Sequence, residues 1–265
     1  MRDQIIRTVK SGLARYGYEL VRSTGDSAIV EVEVEVEHEF PPDFDEATKA
    51  TARRVEGYTM TSPEKIYALC HAVRHIVQYD VPGAIVECGV WRGGSMMAVA
   101  TTLLEMDAAP RDLYLFDTFE GMPEPTEHDV DLHGVSVLDR WNSQRHNRLV
   151  PREARASIGD VRQAMGSVGY DPSRIHFIKG MVEDTIPAEA PEEIALLRLD
   201  TDYYESTRHE MFELYPRVAS GGVLIVDDFG HFKGSEKGVR EFIDQTGEQI
   251  LLHRIDYSAR VGVKR

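Results

Sequence analysis

Cysteine is nearly absent: Cys70 and Cys88 are the only two in 265 residues, and neither sits in a redox or zinc-binding pattern. A disulfide framework is therefore excluded, and both read as reduced core thiols of a cytoplasmic protein. No apolar run is long enough to span a bilayer, and residues 1–11 are charged and lack an apolar signal core. Positive charge is scarce as well. Thirty Lys and Arg against 45 Asp and Glu give a net charge of −15, with no dense basic stretch, which argues against nucleic-acid and anionic-membrane partners. Internal repeats and long low-complexity tracts are missing too. With those classes set aside, the length fits one α/β domain with additions.

What the chain does contain is a rhythm. Apolar strand-like runs at 84–88, 113–116, 174–178, 194–199 and 223–226 alternate with helix-like stretches at 95–106, 155–167 and 206–215. This pattern predicts a doubly wound, mostly parallel sheet. Two more strand-like runs, 249–255 and 259–264, share a short connection and predict an antiparallel C-terminal hairpin. A parallel sheet ending in such a hairpin is the Rossmann-like layout of a class I methyltransferase. Upstream, 45–55 and 63–79 read as helices, the second opened by Ser62 as N-cap and Pro63 at the first helical position. Residues 3–16 predict an amphipathic helix, and 28–37 alternate apolar residues with glutamates, as a strand with one acidic face does. We expect an N-terminal helix and hairpin appendage over 1–56 and a catalytic domain over 57–265. Residues 118–152 have little periodicity and read as a lid.

Two of the predicted strands end in carboxylates. Leu197-Arg198-Leu199 runs into Asp200-Thr201-Asp202, and Leu224-Ile225-Val226 runs into Asp227-Asp228. In open α/β sheets, ligands gather at the carboxyl ends of strands. If these strands are neighbours, four anions meet at one edge, which demands a cation or raised pKa values. An all-oxygen cluster selects a hard ion, Mg²⁺ first, with Mn²⁺ or Ca²⁺ as alternatives. The competing reading makes the same residues loop caps and a helix N-cap.

The turn Glu87-Cys88-Gly89-Val90-Trp91-Arg92-Gly93-Gly94-Ser95 follows the first predicted strand of the sheet and opens a helix. It lacks both the GxGxxG order and the P-loop ending, so phosphate cradling is not expected. Glu87 would repel phosphate and suits a cationic ligand such as S-adenosylmethionine, which carries an ammonium and a sulfonium. Asp117, at the end of the second strand, is placed to accept both ribose hydroxyls of a nucleoside. Glu183 and Asp184 follow the third strand, where an adenine edge would lie, and read equally as a solvated helix start. His133 is either an acceptor contact or proton-transfer aid in the lid, or a surface histidine.

Together, Tyr58-Thr59-Met60, the Glu87 to Gly94 turn, Asp117-Thr118-Phe119-Glu120-Gly121, Leu197 to Tyr203, and Gly221-Gly222 through Asp227-Asp228 resemble the macrocin O-methyltransferase family. The resemblance implies a metal-dependent enzyme that uses S-adenosylmethionine to methylate a sugar hydroxyl of a glycoside, oligosaccharide or polysaccharide precursor. It implies Asp200, Asp227 and Asp228 as Mg²⁺ ligands and Asp202 as general base. The cofactor residues it implies are Thr59, Met60, Glu87, Gly89, Arg92, Gly93, Ser95, Asp117, Thr118 and Asp184. A catechol-type phenol as acceptor, or a nucleoside-binding module without catalysis, are the rival readings. A homo-oligomer, a dimer or a multiple of dimers, is expected, with the appendage contributing to contacts or to the acceptor pocket.

Overall fold

β1 (Ala84–Cys88) is buried along its whole length, as an inner strand covered on both faces must be. The computed structural model describes residues 40–145 and 155–265. The predicted helix at 3–16 and strand at 28–37 lie outside the described residues, as does the end of the 118–152 segment. The chain divides into two compact units, Met1–Asp43 and Phe44–Arg265, and every element named below belongs to the second.

With β2 (Leu113–Asp117), β3 (Ile175–Lys179), β4 (Ile194–Leu199), β5 (Val218–Val226), β6 (His253–Arg254) and β7 (Arg260–Val263), β1 forms one sheet in the order β3-β2-β1-β4-β5-β7-β6. The first five strands pair in parallel; β7 runs antiparallel to β5 and to β6. This is the class I methyltransferase layout. The order reverses between β1 and β4, the switch point where such sheets open a crevice. Register makes the crevice edge continuous. Gly89 donates its amide to the Phe116 carbonyl at 2.9 Å, Asp200 to Cys88 at 2.8 Å, and Asp227 to Leu199 at 2.9 Å. The residues just past β1, β4 and β5 are therefore side by side.

Helices cover both faces. α1 (Glu46–Val55) and α2 (Pro63–Gln78) pack with α3 (Gly94–Glu105), whose residues Gly94 to Leu103 are all buried. Asp45 caps α1 through the Thr48 amide at 2.9 Å, and Ser62 caps α2 through the Lys65 amide at 3.3 Å. α1, grouped with residues 1–56 on sequence grounds, falls within the second unit, Phe44–Arg265. On the other face, Met211 and Leu214 of α7 (Tyr204–Leu214) and Val239 and Phe242 of α8 (Lys233–Thr246) seal Cys88, Leu197, Leu199 and Val226 into one core. Cys70 and Cys88 are free and buried.

Between α3 and α7 come α4 (Val137–Arg145), α5 (Ile158–Gly166) and the single turn α6 (Val182–Thr185). α4 falls in the segment that shows little periodicity, because a helix of nine residues lying on the surface has no strong apolar stripe to display. The strand predicted from 249 is confined to His253–Arg254; residues 249–252 are irregular. Among the described residues, no helix is long and apolar enough to cross a membrane.

Candidate active site

A cavity opens at the crevice, lined by Met60, Gly89, Trp91, Asp117, Thr118 and Met122, and reaching Glu183, Asp200, Thr201 and Asp202. Its near wall is shaped by backbone. Asp117 Oδ2 accepts the Val90 and Trp91 amides at 2.7 and 3.0 Å, and Oδ1 accepts the Phe119 amide at 2.6 Å. The carboxylate at the end of β2 thus holds the glycine turn after β1 in place. Gly89 is required for a different reason than ligand approach alone. It sits at φ +83°, and a Cβ there would lie 2.1 Å from the Asp200 carbonyl oxygen. Gly89→Ala should therefore cost more than about 2 kcal/mol in a denaturant titration, from left-handed strain plus the clash. A loss under about 0.5 kcal/mol would mean that the end of β4 can yield without consequence.

Of the residues expected around the cofactor, Met60, Gly89, Asp117 and Thr118 line this cavity. Thr59, Glu87, Arg92, Gly93, Ser95 and Asp184 are not among its lining residues. Thr59 packs over Gly94, and its hydroxyl accepts the Thr61 amide at 3.0 Å. Arg92 donates to the Gly57 carbonyl at 2.7 Å and lies over the Tyr58 and Trp91 rings. Gly93 is the N-cap of α3, and Ser95 is buried in its first turn. On the single turn α6 it is Glu183 that reaches the cavity, while Asp184 is exposed to solvent. His133 is exposed on the turn between Asp131 and Gly134, its amide bonded to Asp131 Oδ1 at 2.9 Å.

Glu87 points into the protein. It is 1% exposed and paired with Arg198 at 2.7 Å, its direct neighbour in the β1–β4 register. Burial pushes its carboxyl up to about 8, against the pull of Arg198. Arg198 is itself 3% exposed and serves three acids: one nitrogen bonds Glu87 and Asp200 Oδ2, both at 2.7 Å, and the other bonds Thr61 and Asp227. Asp227 is also paired with Lys65 of α2. Sequence reasoning singled out neither cation as a site residue.

The four carboxylates after β4 and β5 consequently divide. Asp200, Asp202 and Asp228 offer oxygens that lie within 4.8 Å of one another, whereas Asp227 turns to Arg198 and Lys65. The expected trio of ligands is thus not the trio that the structure gathers, because Asp227 has cations of its own. Of the gathered three, only Asp200 has an ion pair among the described residues, with Arg198. Burial, with Asp227 and Asp228 nearby, raises Asp200 despite Arg198. Burial and then Asp202 and Asp227 raise Asp228. Asp202 is lifted by burial to about 7, a hydrogen bond with Asp228 pulling it down and Asp200 and Asp227 pushing it up. Oδ2 of Asp228 is buried with no hydrogen-bond partner among the described residues. Crowded carboxylates with an orphaned oxygen suit a hard cation. The capping alternative is not what is seen: the N-caps of α7 and α8 are Tyr203 and Phe232, and Asp202 occupies a left-handed turn at φ +66°.

Comparison with known proteins finds methyltransferases similar to this chain. Residues 16–262 match the family described as macrocin-O-methyltransferase. The chain is 29% identical over 199 residues to mycinamicin III 3''-O-methyltransferase of Micromonospora griseorubida, covering 75% of each. It is 33% identical over 172 residues to 8-demethyl-8-(2,3-dimethoxy-alpha-L-rhamnosyl)-tetracenomycin-C 4'-O-methyltransferase of Streptomyces olivaceus, covering 65% of this chain and 62% of the relative. Among solved structures, the O-methyltransferase NovP is 28% identical and superposes with a TM-score of 0.68, over 78% of this chain and 82% of that one.

Proposed function

The chain belongs to the macrocin O-methyltransferase family and is an S-adenosylmethionine-dependent O-methyltransferase, and from that premise we propose that it methylates a sugar hydroxyl of a glycoside with the help of Mg²⁺. The observation that carries this reading is the gathering of Asp228 with Asp200 and Asp202, two residues of the cavity wall. Relatives whose names specify hydroxyls of mycinamicin III and of a rhamnosyl tetracenomycin support the sugar as acceptor.

S-adenosylmethionine brings a methyl group already activated by its sulfonium. The protein therefore has to hold the cofactor, orient the acceptor oxygen in line and remove its proton. Asp117 fixes the glycine turn and faces the cavity where the ribose would lie. Asp200 and Asp228 would hold the ion, Asp200 through the oxygen that Arg198 leaves free. A divalent ion there supplies the positive charge that favours ionisation of a sugar hydroxyl near neutral pH. Asp202, on the cavity wall, takes the proton. Asp227 neutralises and places Lys65 and Arg198 beneath the cluster.

The acceptor class is tested by offering labelled S-adenosylmethionine with a panel of glycosides and catechols. Label on a sugar hydroxyl is the expected result; label only on catechols would replace the sugar reading. Asp117→Ala should weaken S-adenosylhomocysteine binding at least about tenfold by calorimetry, since a charged acceptor for the ribose and the anchor of the glycine turn are both lost. Unchanged affinity would remove Asp117 from the cofactor site. We also propose a homo-oligomer built from dimers, supported by the apolar face of residues 28–37 in the sequence; a monomer in light scattering at micromolar concentration would overturn it.

A further inference from the structure

α7 starts without a cap of its own. Its N-cap residue is Tyr203, whose side chain makes no capping bond. The Tyr204 amide donates instead to Oδ1 of Asp129, at 2.8 Å and 75 residues away in sequence. Asp129 is 0% exposed, and its other oxygen accepts the Thr126 amide at 2.6 Å and the Thr126 hydroxyl at 3.0 Å. Gly234, in the first turn of α8, makes the room: a Cβ there would stand 2.4 Å from Asp129 Oδ1 and 3.0 Å from the Tyr204 nitrogen. One carboxylate thus ties the segment after β2 to the start of α7, the helix that follows Asp202, with the first turn of α8 packed close beside it. The same segment is strapped down next to it, with the Lys233 amide donating to the Val130 carbonyl at 2.8 Å and a bridge between Asp131 and Phe232.

Asp202 lies two residues before Tyr204, in its left-handed conformation, in a turn closed by the Tyr203 amide on the Thr201 carbonyl at 2.7 Å. We propose that Asp129 is a positioning residue for Asp202: by capping α7 from another segment it fixes the turn that aims the Asp202 carboxylate at the acceptor. The proposal rests on Asp202 being the proton acceptor. A carboxylate at a helix start accepts a charge-assisted bond and complements the dipole. Without it the Tyr204 amide is buried and unpaired, and the first turn of α7 must shift to find a partner. A displacement of about 1 Å in a group that must meet a reacting proton is enough to cost on the order of 10²-fold in rate.

The test places Asp129→Ala and Asp129→Asn in the wild-type and the Asp202→Asn backgrounds, and reads kcat, KM for cofactor, and hydrogen exchange of the Tyr204 amide. Asparagine keeps one oxygen for Tyr204 but turns an amide donor toward Thr126. Asp129→Ala should lower kcat at least about tenfold with cofactor KM within about threefold, and should speed exchange at Tyr204; Asp129→Asn should lose only a few-fold. In the Asp202→Asn background Asp129→Ala should add less than about twofold, because the group it positions is already gone. Wild-type kcat in Asp129→Ala, or the same loss in both backgrounds, overturns the proposal. If Asp129→Ala does not fold, Asp129→Asn decides alone: its few-fold loss vanishes without Asp202 or the proposal is wrong. Near-wild-type turnover in Asp202→Asn by itself would strike the proton-acceptor reading, a result distinct from an additive Asp129 effect on an impaired Asp202→Asn enzyme.

Discussion

Asp202→Asn is expected to reduce turnover by roughly 10²–10⁴, the contribution of a positioned general base, while the protein still folds and binds cofactor. Asparagine is the informative replacement. It tolerates the left-handed backbone that Asp202 adopts at φ +66°, so the turn persists and only the proton acceptor is lost. The same substitution separates base from ligand, a distinction that matters because Asp202 stands with Asp200 and Asp228. As a base, its loss should change Mg²⁺ affinity by less than about tenfold, and added Mg²⁺ should not restore turnover. A collapse of Mg²⁺ affinity with turnover regained at high Mg²⁺ would make Asp202 a ligand. Turnover near wild type would remove it from the chemistry altogether.

Arg198→Met should be the most destabilising single change at the site. Removing one member of a buried ion network costs about 3–5 kcal/mol, since the partners are left charged and unpaired. Here Glu87 and Asp227 are nearly solvent-free and Asp200 is partly covered. Two features soften the loss without abolishing it. Glu87, whose carboxyl burial already pushes up, is readily held neutral, and Asp227 keeps Lys65. For a unit of this size the loss corresponds to a fall in melting temperature of roughly 6–20 °C. A fall under about 2 °C would show that the three acids do not depend on Arg198.

The sheet was legible because parallel strands buried on both faces leave mostly apolar runs, and because Asp200 and Asp227-Asp228 stand where those runs stop. The order of strands put them together, as neighbouring β4 and β5 require. The sharing of charge was harder to read. Arg198 inside an apolar strand was a signal, since a buried arginine needs a partner, and Glu87 holds the equivalent place in β1. Lys65 gave no such signal: it is one lysine on an amphipathic helix, and only the fold brings it to Asp227. Asp184 and Glu183 are adjacent on a single turn, and a four-residue helix has no periodicity from which to tell the inward residue from the outward one. Asp129 was hidden for another reason. Its long-range bond goes to the Tyr204 amide 75 residues further along, at the start of α7, where no local pattern announces a cap supplied from elsewhere.

The central claim is that Asp200 and Asp228 hold a hard cation on which methyl transfer depends. The most direct measurement follows labelled methyl transfer to a glycoside acceptor in protein stripped with EDTA and then titrated with Mg²⁺, alongside calorimetric Mg²⁺ binding to wild type and Asp228→Ala. The account predicts that stripping abolishes transfer, that Mg²⁺ restores it along the same curve as its binding to wild type, and that Asp228→Ala weakens binding by at least about tenfold. Full activity of the stripped enzyme, or Mg²⁺ binding indifferent to Asp228, would contradict it.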